Sequence, residues 1–280
     1  FTTDPGGGTY TAGGNIAVVV EARDTEGNLK TDYSSSAVVS DTTGTVYESV
    51  VGDTSVAFSG GVYSGDLHIT QSGVGITITV SDGAPSGTSG GFTVDPGALA
   101  GFVVEAAGGG SIGTQAADTG FDVDLRAVDG YGNTVTGFGG TVDITDSTGT
   151  ITPATSGAFA GGLRTETVQI TQAGTNVVIT VQNSAGTETG SSNAFDVNPG
   201  AATQYVFTTA IQDPLVAGVT ESVTVEARDP FGNVDTTYNA TARFSDIGAD
   251  GLVFLTSASP IPLPEAADVA GEPDVRLDLP

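Results

Sequence analysis

Glu21-Ala22-Arg23-Asp24-Thr25-Glu26-Gly27-Asn28 is the stretch that decides the fold, because the chain repeats it twice. It returns as Arg126-Ala127-Val128-Asp129-Gly130-Tyr131-Gly132-Asn133 and again as Glu226-Ala227-Arg228-Asp229-Pro230-Phe231-Gly232-Asn233. The shared Asp-x-x-Gly-Asn element thus recurs roughly every 100 residues, which is too long for a solenoid repeat and suits one small β-domain per repeat. The sequence therefore predicts a tandem array of three domains.

Around this element, apolar and polar residues alternate with the period of two that is typical of β-strands. One apolar and one polar face per strand indicate a sheet that packs on a second sheet. The predicted inward-facing residues are Val18, Val20 and Ala22 in the first repeat, Phe121, Val123, Leu125, Ala127, Val168, Ile170 and Ile179 in the second, and Val223, Val225 and Ala227 in the third.

Matching segments place the predicted domains at residues 1–96, 97–199 and 200–280. The dipeptides Pro96-Gly97 and Pro199-Gly200 close one domain and open the next, and such short linkers limit bending between neighbours. About seven short strands per complete repeat, with frequent turn signals, describe an immunoglobulin-like sandwich. The predicted fold class is therefore all-β.

The two ends of the chain depart from the repeat pattern. Phe1-Thr2-Thr3-Asp4-Pro5-Gly6 matches Phe92-Thr93-Val94-Asp95-Pro96-Gly97, so the first repeat is predicted to lack its opening strand. The third repeat is predicted to lack its last two strands, which would expose an edge with Val275, Leu277 and Leu279. Two explanations stay open. The polypeptide continues into a longer array, or a strand from another subunit completes the sandwich and makes a head-to-tail homo-oligomer or polymer.

The charge balance excludes several classes of partner. There are 33 acidic and 7 basic residues, for a formal net charge of −26, which argues against nucleic acid and anionic membranes. No apolar run is long enough for membrane insertion, and the absence of cysteine rules out disulfides and thiolate metal sites. A disulfide-free β-array of this kind is expected to be secreted or at the cell surface of a bacterium or archaeon.

Candidate chemistry is sparse. Asp24, Glu26 and Asn28 offer oxygens at alternate positions, as calcium loops do, and form a weak Ca²⁺ candidate. The later repeats have Tyr131 and Phe231 in place of Glu26, so a turn stabilised by the aspartate is favoured over a metal site. No other cofactor site is predicted. The one histidine, His68, is predicted to face solvent, and without a base or a cysteine no catalytic residue or enzymatic activity is predicted.

Three segments carry a resemblance to a known group: Ala127-Val128-Asp129-Gly130-Tyr131-Gly132-Asn133, Phe138-Gly139-Gly140-Thr141-Val142 and Ala173-Gly174-Thr175. This pattern resembles the bacterial immunoglobulin-like repeats of large surface proteins, which are related to invasin and intimin domains. The resemblance covers nearly all of the chain and specifies the fold far better than the function. Our main hypothesis for the function is a non-catalytic extracellular structural protein, such as a segment of a surface layer (S-layer), stalk or filament. One alternative is an adhesin that displays a ligand-binding face. Another is the accessory region of a secreted polysaccharide-degrading enzyme, which the absence of tryptophan disfavours.

Overall fold

The computed structural model describes residues 1–209 and 222–240, and all regular structure within these ranges is β-strand. The predicted edge residues Val275, Leu277 and Leu279 lie outside the described residues. The all-β prediction is confirmed.

Repeat 1 is built from three small sheets around one core. Its strands are β1 (Thr9–Thr11), β2 (Ile16–Glu21), β3 (Ser36–Asp41), β4 (Val46–Tyr47), β5 (Ser55–Ala57), β6 (Val62–Ile69), β7 (Gly73–Ile76), β8 (Ile78–Ser81), β9 (Ser86–Thr88) and β10 (Phe92–Asp95). The sheet orders are β2-β6-β4, β5-β3-β8-β9 and β1-β10-β7. Only Thr77 separates β7 from β8, so the chain passes directly from the β1-β10-β7 sheet into the β5-β3-β8-β9 sheet.

Repeat 2 follows the same plan. Its strands are β11 (Leu99–Ala106), β12 (Gln115–Ala116), β13 (Phe121–Asp129), β14 (Val142–Asp146), β15 (Leu163–Val168), β16 (Gly174–Val177), β17 (Ile179–Asn183), β18 (Thr189–Ser191) and β19 (Phe195–Asn198). They form sheets β11-β13-β15, β14-β17-β18 and β12-β19-β16. In repeat 3, β20 (Gln204–Phe207) pairs antiparallel with β21 (Val225–Arg228).

The alternating residues build a separate core in each of the first two repeats. Val123, Leu125, Val168, Ile170 and Ile179 are each at most 1% exposed, as the period-two pattern predicts. The exceptions lie at the margins. Ala22 and Phe121 are only half-buried, at the edge of their cores. The inward placement predicted for Val223 is wrong: this side chain lies just before β21 and is 36% exposed.

The start of repeat 1 is placed differently from the sequence match. Residues 1–3 do not lie where a closing strand lies; instead Thr3 forms a bridge with Val19 of β2. In repeat 2 the equivalent position of β13 is Asp124, which pairs with Glu105 of the opening strand β11. Thr3 therefore occupies the position along β2 that Glu105 of the opening strand occupies along β13. The Phe-x-x-Asp-Pro-Gly pattern specifies an apolar anchor and a turn, but not which sheet edge the segment joins.

An aromatic residue on a different strand compensates inside the core of repeat 1. In repeat 2, Phe102 of the opening strand packs on Phe159, with ring centroids 5.9 Å apart. In repeat 1 the equivalent Phe58 is contacted by Tyr63 of β6 at 6.1 Å. Tyr63 is only 5% exposed, and its hydroxyl is the one buried side-chain polar atom of the described residues without a hydrogen-bond partner. Burial, followed by the nearby charges of Glu48 and Asp66, raises the pKa of Tyr63 to about 12.

Candidate functional site at the domain junctions

The Asp-x-x-Gly-Asn element forms a self-contained turn directly after β13. Asp129 Oδ1 accepts hydrogen bonds from the backbone N–H groups of Tyr131 and Asn133, both at 2.9 Å. The Asn133 side-chain amide donates to Asp129 Oδ2 at 2.8 Å. Gly132 has a φ of 86°, a left-handed conformation that glycine adopts at little cost. The aspartate, the glycine and the asparagine are thus all needed for the local shape.

Asp129 also holds the linker that connects the two domains. Its Oδ2 accepts the backbone N–H of Gly97 at 2.7 Å, immediately after Pro96 and before β11. The residue is 3% exposed. Burial alone would raise the pKa of Asp129, but the donors from Asn133, Gly97 and Tyr131 outweigh it and lower the pKa below its ordinary value. The carboxylate is therefore held ionised at the junction.

Asn133 reaches across the junction into repeat 1. Its Nδ2 donates to the carbonyl of Thr70 at 2.7 Å, and its Oδ1 accepts the N–H of Ser72 at 2.9 Å. These two groups belong to the loop between β6 and β7. An asparagine amide supplies both a donor and an acceptor, whereas an aspartate could not donate. We call the set formed by the aspartate, the asparagine, the linker glycine and this loop backbone the junction lock.

The junction between repeats 2 and 3 repeats the lock atom for atom. Asp229 is fully buried at 0% exposure and accepts the N–H of Gly200 at 3.0 Å. Asn233 donates to the carbonyl of Thr171 at 2.8 Å and accepts the N–H of Ala173 at 2.9 Å. Both locks bind only backbone atoms of the preceding loop. The side chains of that loop are therefore free to differ, as Ser72 and Ala173 do.

Side chains next to the lock distinguish the first junction. Tyr131 lies over Gly13, where an added Cβ would come within 2.2 Å of the tyrosine hydroxyl. Burial, followed by a hydrogen bond with Tyr131, raises the pKa of Tyr47. Tyr47 stacks on His68 with ring centroids 4.8 Å apart, and His68 Nδ1 lies 3.2 Å from the carbonyl of Gly13. His68 is therefore half-buried at the junction, and the prediction that it faces solvent is wrong.

The second junction uses other side chains at the same places. Gln169 takes the position of His68, and its amide donates to the Asp118 carbonyl at 2.8 Å and to the Asp118 carboxylate. Asp118 occupies the place of Gly13, since each donates its N–H to the last inward-facing residue of the neighbouring strand segment, Ile170 or Ile69. The two junctions thus share the lock but differ in the residues that surround it.

Repeat 1 carries the same turn without a preceding domain in the structure. Asp24 Oδ1 accepts the N–H groups of Glu26 and Asn28 at 3.1 and 2.8 Å, and the Asn28 amide donates to Asp24 Oδ2 at 3.1 Å. All three residues are exposed. The hydrogen bonds from Asn28, followed by burial and the remaining backbone donors, lower the pKa of Asp24.

The Ca²⁺ candidate at Asp24, Glu26 and Asn28 stays a prediction, because the structure does not test it. The Asp24 oxygens are already occupied by N–H groups of the turn. Within residues 1–209 and 222–240, no group of three or more histidine or acidic side chains is placed to hold a metal ion.

A shallow depression lies on the outer face of the β11-β13-β15 sheet of repeat 2. Its carboxylates already have partners on the protein: Glu105 lies 3.9 Å from Arg126, and Asp124 accepts hydrogen bonds from the Thr165 hydroxyl and from the backbone N–H of Gly108. Carboxylates held in this way are structural supports of the sheet surface rather than a pair aimed at a shared substrate.

Comparison with known proteins gives solved structures only. No model of a protein family matches the chain, and no curated protein matches it. One similar structure is FdeC, an Escherichia coli adhesin, at 17% identity over 86% of this chain and 77% of that chain, with a TM-score of 0.35. Another is invasin, a bacterial integrin-binding protein, at 18% identity over 86% of this chain and 49% of that chain, with a TM-score of 0.34. A third is the D0-D1 domain of intimin, at 12% identity over 68% of this chain and 93% of that chain, with a TM-score of 0.28. In the described residues we find no helix long and apolar enough to cross a bilayer. The similar structures include members of the invasin and intimin group, which the sequence motifs also resemble.

Proposed function

We propose that this chain is a non-catalytic extracellular spacer, a stalk segment in which consecutive immunoglobulin-like domains are held in a fixed relative orientation. The observation that carries the proposal is the junction lock, which recurs with the same atoms at both domain boundaries. A chain that needed only flexible tethering would not need an asparagine bound to the loop of its neighbour.

The lock converts a short linker into a directional joint. A Pro-Gly linker alone restricts the distance between domains more than their angle. The two cross-junction bonds of Asn133 contribute about 1 kcal/mol each, and the Gly97–Asp129 bond, which involves a charge, contributes about 2 kcal/mol. Roughly 4 kcal/mol per junction favours one orientation by a factor on the order of 1,000 over orientations without these bonds.

The charge supports the same function. A net charge of −26 makes the surfaces of neighbouring arrays repel one another, which keeps long stalks separate on a crowded surface. This repulsion weakens as salt rises, because the Debye length shrinks to about 8 Å at physiological ionic strength. The lock is less affected, since its ionised members Asp129 and Asp229 are buried.

A second candidate function is ligand display by an adhesin. One observation favours it: Val50 and Val51, in the loop between β4 and β5, are 65% and 72% exposed side by side. Adjacent exposed apolar residues on a loop offer a contact surface for a partner. The stalk and the display function are compatible, because a rigid array would present this loop at a defined distance from the cell.

The test of the spacer function is domain orientation in solution with and without the lock asparagines. We expect small-angle X-ray scattering of the natural chain to give one narrow distribution of interatomic distances. The combined substitutions Asn133→Ala and Asn233→Ala should broaden it.

The matched control is Asn28→Ala, which removes the same side chain from the same turn where the structure shows no preceding domain, and it should leave the distribution unchanged. Equal, broad distributions for the natural chain and the double variant would overturn the proposal.

A further inference from the structure

We propose that the turn at residues 24–28 of repeat 1 is a docking site for one more immunoglobulin-like domain, bound through the backbone of that domain's loop as residues 70–72 are bound by repeat 2. The proposal rests on the proposed function, since it extends the same type of joint to a third position. The site comprises Asp24, Asn28 and the adjoining edge of β2.

The turn at residues 24–28 already has the bound shape. The backbone N–H of Asp24 lies 3.0 Å from the carbonyl of Asn28, and the equivalent distances in repeats 2 and 3 are also 3.0 Å. The bond between the asparagine amide and the aspartate is 3.1 Å here, against 2.8 and 2.7 Å in the two locks. The site is thus pre-organised, and docking would require no rearrangement of the turn.

Independent support comes from what the same atoms do elsewhere in this chain. Asn133 and Asn233 each bind a carbonyl and an N–H of the preceding loop, and Asp129 and Asp229 each bind the linker glycine. Two of the three copies of this motif therefore bind a preceding domain. Asp24 keeps the same bonds within the turn but is exposed and makes no bond to a linker glycine in the structure, whereas Asp129 and Asp229 are 3% and 0% exposed.

The edge of β2 provides the path by which the linker reaches Asp24. Thr3 occupies the place of Glu105, where β11 nears its end. In repeat 2, β11 continues back from Glu105 along β13, pairing Val103 with Arg126 and Gly101 with Val128. The equivalent positions on β2 and its extension are Glu21 and Arg23. A strand running antiparallel along them places its linker glycine beside Asp24.

The residue at position 26 sets which of the domains that fit the turn is preferred. Tyr131, its equivalent, packs on Gly13 of the preceding domain, but Glu26 carries a carboxylate. A domain that resembles repeat 2 would bring Asp118, the counterpart of Gly13, towards Glu26, and like charges in a partly desolvated contact oppose binding. The preferred partner is therefore a domain with an uncharged residue at this place, as in repeat 1.

The experiment is an extended chain in which residues 1–104 precede residues 3–280. This design gives the added copy a linker and opening strand of the natural length, because Thr3 then follows Val104 as Glu105 does. The measured group is the Asn28 side-chain amide of the original repeat 1, which follows the added copy. We expect its protons to exchange about tenfold or more slowly than in the natural chain, approaching the protection of Asn133. Gly13→Asp in the added copy alone should reverse most of this protection, since Asp118 shows that the backbone conformation tolerates aspartate.

The outcomes separate the two proposals. Unchanged exchange at Asn28, with Asn133 still protected, would overturn the docking site and leave the spacer function standing. Rapid exchange at both asparagines would overturn the spacer function itself. Protection that is insensitive to Gly13→Asp would overturn the selection by Glu26, while the docking site would stand.

Discussion

Asp129→Ala is the substitution that tests the junction lock most directly, because the carboxylate accepts hydrogen bonds from four donors. The donors are the backbone N–H groups of Gly97, Tyr131 and Asn133 and the side-chain amide of Asn133. A hydrogen bond to a charged group contributes about 1.5–3 kcal/mol when its loss leaves the partner buried. Tyr131 is 50% exposed, so water can replace part of what is lost on that side. We expect repeat 2 to lose roughly 3–5 kcal/mol of unfolding free energy.

The matched control for Asp129→Ala is Asp24→Ala, which removes the same carboxylate from the same turn on an exposed surface. Its donors remain in contact with water, so the loss should be a small fraction of that at Asp129. The assay is native-state hydrogen exchange, which reports the opening free energy of each repeat separately and does not require the whole chain to unfold in two states. If the two substitutions destabilise their repeats equally, burial at the junction does not strengthen the lock and the reasoning is wrong.

Three further predictions concern neighbouring groups. Because donors lower the pKa of Asp129, the lock should be fully stable above pH about 3.8 and weaken as pH falls through the lower folded-state value; urea midpoints measured from pH 6 to pH 2 should fall less steeply in Asp129→Asn. Gly13→Ala should displace Tyr131 and strain a residue with φ of 73°, broadening the distance distribution in small-angle scattering, and an unchanged distribution would contradict the contact. Tyr63→Phe should be neutral or stabilise repeat 1 by up to about 1 kcal/mol in thermal unfolding, since it removes a buried hydroxyl without a partner; a clear destabilisation would reveal a hidden one.

The strands of the first two repeats could be predicted from the sequence because a sheet with one buried face fixes the side of every residue. A shift of one residue would move Val123 and Leu125 from the core to solvent, so their alternation with Asp122 and Asp124 has one stable solution. At Val223, which lies just outside β21, the alternating pattern predicts the wrong side.

The junction lock could not be predicted from the sequence, because the hydrogen bonds that its residues make within the turn already explain their presence. Nothing in the sequence then indicates that they also bind the preceding repeat. Asp129 and Asn133 have a complete explanation within the turn, where they bind each other. The bonds to Thr70 and Ser72 cross more than 60 residues, and no spacing rule links those positions. One signal was present: the asparagine recurs in all three repeats although the residue two positions before it changes from glutamate to tyrosine to phenylalanine.

A backbone-directed lock suits an array whose domains differ in sequence. Asn133 and Asn233 bind only carbonyl and N–H groups of the preceding loop, so any domain that keeps the loop's shape can precede any domain that keeps the turn. Pairs of side chains then add preference on top of this common joint, as Tyr131 does with Gly13. The lock therefore sets the angle between domains, and the residues around it set which domains are neighbours. This division of roles predicts that exchanging only Tyr131 and Phe231 would alter the strength of each junction but not its geometry.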